Sequence, residues 1–265
     1  MALWVRFLAA DGIGFGTLSD GVITQFQGDM FGGNSPSGPE HALSSVRLLA
    51  PCTPSKMLGL WNNFHERAKL EGLSHPQHPL YFVKTPNSFS AEGAQIPRPA
   101  GYAGAVVFEG ELGIVIGRRC QGVSPEQAPD YVFGYTCVND VTARDLLKQD
   151  PLFVHWTRAK SFDGFGPFGP CIATGLDPAQ MRVQVVLAGE KRQNYPVADM
   201  IFSPHETLSR ISADMTLEPG DIIACGTSVG ACAMQDGDTV EVRIPGIGVL
   251  TNRFGFYSDD GTRSR

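Results

Sequence analysis

Residues 105–117 read AVVFEGELGIVIG, an apolar run interrupted by Glu109-Gly110-Glu111. A run this rich in β-branched residues predicts a strand, the longest strand signal in the chain. Two glutamates at i and i+2 then project from one face of that strand, about 7 Å apart along it. Like charges so placed repel each other and resist the loss of water. An exposed edge strand with hydrated carboxylates would relieve this, and so would a bound divalent cation. Outward from this stretch, VFGYTCVNDVT (132–142) predicts a second apolar strand and places a third carboxylate, Asp140, where that element stops. Read alone, Asp140 also fits a cap for a brief helix over ARDLLKQ (143–149). Three carboxylates with no CxxC and no His–Cys cluster suit a hard cation held by oxygens, Mg²⁺ or Mn²⁺, with Ca²⁺ a further candidate.

The rest of the chain sets the fold class. Strand patterns occur at 3–9, 22–26, 80–84, 221–227, 239–244 and 248–254, and 182–195 reads as a hairpin turning at Gly189. DGIGFGTLSDG (11–21) reads as turns, 30–42 as a loop, and 155–174 as an ordered loop. Residues 44–56 read as a strand running into a proline-bounded linker. NNFHERAKLEG (62–72) predicts a short helix with Asn62 or Asn63 as N-cap and Gly72 as its stop, and Ser203 with Glu206 forms a capping box for a helix over 203–215. Many strands, few short helices and no βαβ alternation predict an α+β, mainly β architecture. A soft boundary near Pro51 divides a small N-terminal β domain (1–50) from a larger domain (51–265).

Composition narrows the function classes. With 31 Gly and 19 Pro in 265 residues, and 42% apolar residues, the chain is too loop-rich for a helix bundle and too apolar for disorder. A net charge of −6 without a basic run argues against nucleic acid or an anionic membrane as partner. No stretch approaches the ~20 apolar residues of a membrane span, and glycines and an Asp come too early for a signal peptide. The six cysteines stand singly, as expected of reduced thiols in a cytoplasmic protein. The GxGxxG phosphate loop is not met in DGIGFG. Gly226-Thr227-Ser228-Val229-Gly230 matches GxSxG, but the required helix does not follow and the last histidine, His205, precedes the serine. His75 and His78 in SHPQHP fit a hydrated loop, and His205 a structural place at a helix start.

Taken in order, EGELGIVIG, GYTCVNDVTARD, WTRAKSFDGFGPFGP, TLEPGDIIACGTSVG and DGDTVEVRIPGIGVLTN resemble the fumarylacetoacetate hydrolase superfamily, over roughly Pro51 to Asn252. The resemblance implies a mixed β-sandwich or rolled sheet, a homodimer, and a metal held by Glu109, Glu111 and Asp140. It places Lys160 beside the metal, where an ammonium stabilises an enolate or oxyanion. It implies that Thr227 binds the substrate carboxylate and that Gln193 faces the ligand. Arg144 fits a structural ion pair, and His155 lies in the loop before Lys160 and could approach substrate. His65, at the end of LGLWNNFH, matches a histidine that in the family pairs with a glutamate three residues on to activate water. Here that position is Ala68, and Trp61 stands where the family has Asn. Glu66 points about 100° away on a regular helix, and Glu71 is no better placed. The implied activity is C–C hydrolysis of a small 2,4-dioxo acid of the acylpyruvate or fumarylacetoacetate type. Isomerisation or tautomerisation of 2-hydroxy-dienedioates (2-hydroxyhepta-2,4-diene-1,7-dioate type) and 2-oxo acid decarboxylation use the same enolate. Ala68 tilts the balance away from hydrolysis. A non-catalytic metal or metabolite binder on the same fold is the rival from another class.

Overall fold

The computed structural model describes residues 1–256 and has the expected mainly β, α+β architecture. Residues 257–265 of the expected larger domain lie outside the described residues. A twelve-stranded sheet forms the spine. Its main path runs Asn34–Ala42, Val22–Gly28, Gly12–Ser19, Leu3–Ala9, Gly166–Ala173, Val132–Asn139, Gly110–Ile116, Ile222–Ala224, Met57–Trp61 and Leu80–Lys84. The first fifty residues therefore join the larger unit edge to edge, through Leu3 and Trp4 opposite Ala173 and Ile172. A five-stranded sheet runs Glu190–Pro196, Arg182–Leu187, Thr239–Ile244, Gly248–Gly255 and Gln95–Pro97.

Strand Gly110–Ile116 is buried on both faces, which explains why its sequence is nearly continuous in apolar residues. Leu112, Ile114 and Ile116 enter the core shared with Val183, Val185, Val240 and Val242 of the five-stranded sheet. Val115 points to the opposite core with Met57, Phe168 and Ile222. Gly110 is required by this packing: a Cβ there would lie 2.2 Å from Val185 Cγ2.

Several expectations are corrected. Residues 105–117 do not form one strand: Val106–Val107 pairs with Thr142–Ala143 in a separate ribbon, and the chain breaks at Phe108-Glu109 before Gly110–Ile116 begins. The partner strand breaks at the same level, after Asn139, so the two interrupted segments face each other. The backbone N–H of Asp140 donates to Glu109 O (2.8 Å), and Glu109 N–H to Asn139 Oδ1 (3.1 Å). Residues 12–19 form a strand rather than turns, and so do residues 34–42. The latter is an edge strand, which tolerates Pro36 and Pro39 because one side needs no ladder hydrogen bonds. The expected loop at 155–174 contains a helix, Trp156–Lys160, and the central strand Gly166–Ala173. ARDLLKQ supplies only a single 3₁₀ turn, Arg144–Leu146. Ser203 does accept from Glu206 N–H (3.3 Å), but the Glu206 carboxylate pairs with Arg210 instead of closing the box. All six cysteines are free. Among the described residues, no helix is long and apolar enough to cross a membrane.

Candidate active site

The facing breaks bring Glu109, Glu111 and Asp140 together, with one carboxylate oxygen from each within 4.8 Å of the others. Glu111 and Asp140 are buried and the Glu109 side chain is 12% exposed. The hydrated edge strand is thereby excluded, and compensation for three close negative charges must come from within.

Lys160 provides part of it. Helix α1 spans His65–Glu71 and α2 spans Trp156–Lys160. Trp156 and Lys160 are four apart on α2 and share its inward face. The Lys160 ammonium donates to Glu109 Oε2 (2.6 Å), to Thr142 Oγ1 (2.8 Å) and to Asp140 Oδ2, and lies 4.8 Å from the centre of the Phe82 ring. Burial works against its charge, but Asp140 and Glu109 outweigh that and hold its pKa above the usual lysine range. Two further cations were not legible in the sequence. Lys84 is fully buried and donates to Asp140 Oδ1 (2.6 Å) and to the Lys160 carbonyl (2.5 Å). Burial lowers its pKa, against the pull of Asp140. From α1, Arg67 reaches Glu109 Oε1 (3.3 Å) and Glu71 Oε1 (2.9 Å).

The carboxylates differ in consequence. For Asp140, burial alone would raise the pKa, but Lys160 and Lys84 override it and hold the carboxyl below its ordinary range. Glu111 has no such partner. Burial, then Asp140 and Glu109, push its pKa well up, although Gly226 N–H donates to its Oε2 (2.8 Å).

Thr227 and Gln193 act on the backbone between the two glutamates. Thr227 Oγ1 donates to Gly110 O (3.0 Å), and Gln193 Oε1 accepts from Gly110 N–H (3.1 Å) while its Nε2 donates to Thr227 Oγ1 (2.9 Å). The Tyr195 hydroxyl also donates to Gly110 O. These groups fix Gly110, and with it the separation of Glu109 and Glu111. Thr227 also lines the small cleft above the carboxylates.

His65 is not brought to this group. It is exposed on the first turn of α1, and its Nδ1 lies 3.2 Å from His75 Nε2. Two residues apart on a helix, His65 and Arg67 point about 200° apart, and it is Arg67 that faces Glu109. The helix is capped at Phe64, with no side-chain bond, and not at Asn62 or Asn63. Asn63 instead ties this segment down, donating to Cys225 O (2.9 Å) and accepting from Phe202 N–H (2.9 Å). Gly72 does end the helix, at φ 66°. His155 and Arg144 do not line the cleft, and Arg144 forms no ion pair among the described residues. His205 lies near the Tyr135 hydroxyl (3.4 Å).

The cleft has a volume of about 60 Å³. Its lining includes Glu109, Glu111, Arg67, Lys160 and Thr227 together with the aromatic rings of Trp61, Phe82 and Trp156. A larger open cavity of about 790 Å³ lies along α2 at Thr157 and Arg158, and none of the three carboxylates lines it. One oxygen from each of Glu109, Glu111 and Asp140 makes a donor set that fits a hard divalent cation. Ionised carboxylate oxygens have lone pairs to spare beyond the bonds described here.

Sequence and structure comparisons identify relatives of the chain. Residues 56–255 match the fumarylacetoacetate (FAA) hydrolase C-terminal family, and residues 3–51 match the Rv2993c-like N-terminal family. The chain is 37% identical over 229 residues to oxaloacetate tautomerase YisK of Bacillus subtilis, covering 81% of this chain and 75% of that protein. The crystal structure of 2-hydroxyhepta-2,4-diene-1,7-dioate isomerase from Mycobacterium marinum superposes with a TM-score of 0.89 at 36% identity, covering 98% of this chain and all of that one. Maleylpyruvate hydrolase from Sphingobium sp. SYK-6, solved with manganese(II) and pyruvate, gives a TM-score of 0.79 at 25% identity, with 97% of this chain and 100% of that one covered. The paired strand breaks, the carboxylates they gather and the lysine beside them all fall within the matched stretch 56–255, and the chain belongs to the fumarylacetoacetate hydrolase family of enzymes.

Proposed function

We propose that this chain is a divalent-metal-dependent tautomerase or isomerase of a small 2-oxo acid. The observation that carries the reading is a cleft that joins three carboxylates to a protonated lysine and in which, among the described residues, no imidazole is part of the lining. Glu109, Glu111 and Asp140 would hold the cation, Mg²⁺ or Mn²⁺. A bound cation supplies Lewis acidity toward a carboxylate and its neighbouring carbonyl or enol oxygen. Lys160, kept protonated by Asp140 and Glu109, would place its positive charge beside the oxygen that gains charge. Thr227 lines the cleft, and its Oγ1, donating to Gly110 O, would hold the backbone between the two glutamates in the geometry the cation needs. Trp61, Phe82 and Trp156 limit the access of water. The relatives named as a tautomerase and an isomerase support the reading.

The assay is decay of enol-oxaloacetate absorbance with Mg²⁺ or Mn²⁺, run beside cleavage of an acylpyruvate. Metal-dependent acceleration of enol decay, without release of pyruvate from the acylpyruvate, is the expected outcome. Hydrolysis faster than tautomerisation would return the chain to the C–C hydrolase reading. His65 separates the two further. Because its ring faces His75 and away from the cleft, His65→Ala is expected to leave tautomerase turnover within about fivefold of the parent. A loss beyond about 100-fold, the lower range for removing a general acid or base, would place His65 in the reaction.

A further inference from the structure

Two charges of opposite sign stand unpaired in the larger cavity along α2. Its volume of about 790 Å³ lies in the range of small-molecule sites. Arg158 and Asp145 are the charged residues of its lining. Among the described residues neither forms an ion pair, with the other or with a third group. Arg158 Nη1 donates to Gln149 Oε1 (2.7 Å), and its remaining N–H groups keep their capacity. Asp145 Oδ2 accepts from Ala105 N–H (3.2 Å), and Oδ1 keeps its lone pairs. The carboxylate is set in place by its neighbours. The Tyr102 hydroxyl accepts from Asp145 N–H (3.1 Å) and donates to Ala105 O (3.1 Å). Gly104 leaves room for both: a Cβ there would lie 2.3 Å from Asp145 Oδ2 and 2.5 Å from the Tyr102 hydroxyl.

Apolar surface accompanies the two charges. Leu146 and Phe162 belong to the lining. Gln149 and Thr157, also in the lining, bound a segment that carries Leu152 and Phe153, 94% and 66% exposed. A bridge between Asp150 and Phe153, with Leu152 N–H donating to Asp150 Oδ1 (2.8 Å), holds this segment as a tight turn that keeps both side chains out of the core. Adjacent large apolar side chains left in water mark a place where apolar surface is received. A lone anion in the cavity would be attracted by Arg158 and repelled by Asp145, and a lone cation the reverse. A molecule with both charges gives each a charge-assisted hydrogen bond, and an apolar side chain on it gains by leaving water.

We propose that this cavity is an effector site for an α-amino acid with a bulky apolar side chain, its carboxylate on Arg158 and its ammonium on Asp145. The site is separate from the carboxylate cleft and shares a wall with it. Helix α2 gives Trp156 and Lys160 to the cleft, and Thr157 and Arg158 to the cavity. Leu146 and Leu147 divide in the same way, the first lining the cavity and the second the cleft. An amino acid held by Arg158 therefore bears on the short helix that positions Lys160.

The test is calorimetric binding to the full chain without added metal, so that it stands apart from the reaction catalysed in the cleft. It compares L-phenylalanine with 3-phenylpropanoate, which lacks the ammonium, and with phenethylamine, which lacks the carboxylate. L-Phenylalanine is expected to bind, and each analogue to bind at least about tenfold more weakly, the loss of one charge-assisted contact. Arg158→Met and Asp145→Asn are each expected to weaken L-phenylalanine by at least about tenfold, and Arg158→Lys by less than Arg158→Met. Both sites are exposed, so either variant alone decides if the other does not fold. The tryptophan emission of the parent is expected to change as L-phenylalanine saturates the site, and Trp156→Phe to abolish that change. No binding by the parent at about 10 mM, equal binding of the analogues, or undiminished binding by Arg158→Met overturns the site. Binding that leaves the tryptophan emission unaltered overturns its role as an effector acting through α2.

Discussion

Asp140→Asn is expected to destabilise the metal-free protein by about 3–5 kcal/mol, the range for breaking a buried ion pair from one side. Each carboxylate oxygen of Asp140 accepts from a buried ammonium, Oδ1 from Lys84 and Oδ2 from Lys160. An amide has one acceptor, and its NH₂ group would face the other ammonium. Lys160 would keep Glu109 and Thr142, whereas Lys84 would keep only a backbone carbonyl. The cost therefore falls mainly on Lys84, which is fully buried and cannot turn to solvent. Chemical denaturation reads the effect directly. The double variant Lys84→Met, Asp140→Leu separates charge from shape: it is expected to regain most of the lost stability, because well-packed apolar residues replace a buried pair at little cost. Neither variant should retain metal-dependent turnover. If Asp140→Asn were as stable as the parent, Asp140 would not be the anchor of the two lysines. The same carboxylate sets an acid limit. Its depressed pKa contributes stability that is present above the unfolded value of about 3.9 and is lost as pH falls through the folded value.

This anchoring pair shows what the sequence displayed and what it hid. The acidic cluster was legible because charge inside an apolar strand is a local contradiction, visible in FEGEL and in CVND without knowledge of the fold. Its compensation was not. Lys84 closes LYFVK, a five-residue strand whose last position reads equally well as a hydrated end, and only the sheet order places it under Asp140. Arg67 was hidden for a related reason: a seven-residue helix has too few turns for its pattern to say which face turns inward. Glu109, Glu111 and Asp140 need not depend on a doubly charged ion alone, because Lys84, Lys160 and Arg67 already stand among them. Fold class followed from strand count and the absence of βαβ alternation. The edges did not follow, because Gly- and Pro-rich segments such as 12–19 and 34–42 enter the sheet through their neighbours rather than by their own propensity.

Glu111→Gln tests the metal from the opposite direction, through the carboxylate that has no lysine of its own. Burial and the neighbouring carboxylates raise the Glu111 pKa, so the metal-free fold favours its protonated form. The sign follows: a raised folded value contributes stability that is fully present below the unfolded value, about 4.3, and is lost as pH rises through the folded value. Metal-free parent protein should therefore lose stability as pH rises from the unfolded value toward and through the raised folded value, and Glu111→Gln, neutral throughout, should lose less. A cation requires the ionised carboxylate and displaces its proton, so the stabilisation by Mg²⁺ or Mn²⁺ should grow over the same pH interval. At 100 times its dissociation constant a ligand adds about 2.7 kcal/mol by mass action, a shift a melting curve resolves. In Glu111→Gln that shift should be absent or nearly so, while the metal-free melting point equals or exceeds that of the parent at the alkaline end of the pH series. Because Asp140→Asn lowers metal-free stability and Glu111→Gln does not, a general weakening of the fold cannot mimic both results. A Glu111→Gln protein that melts higher with Mg²⁺ to the same extent as the parent would remove Glu111 from the metal site, and with it the reason for two glutamates two residues apart in a buried strand.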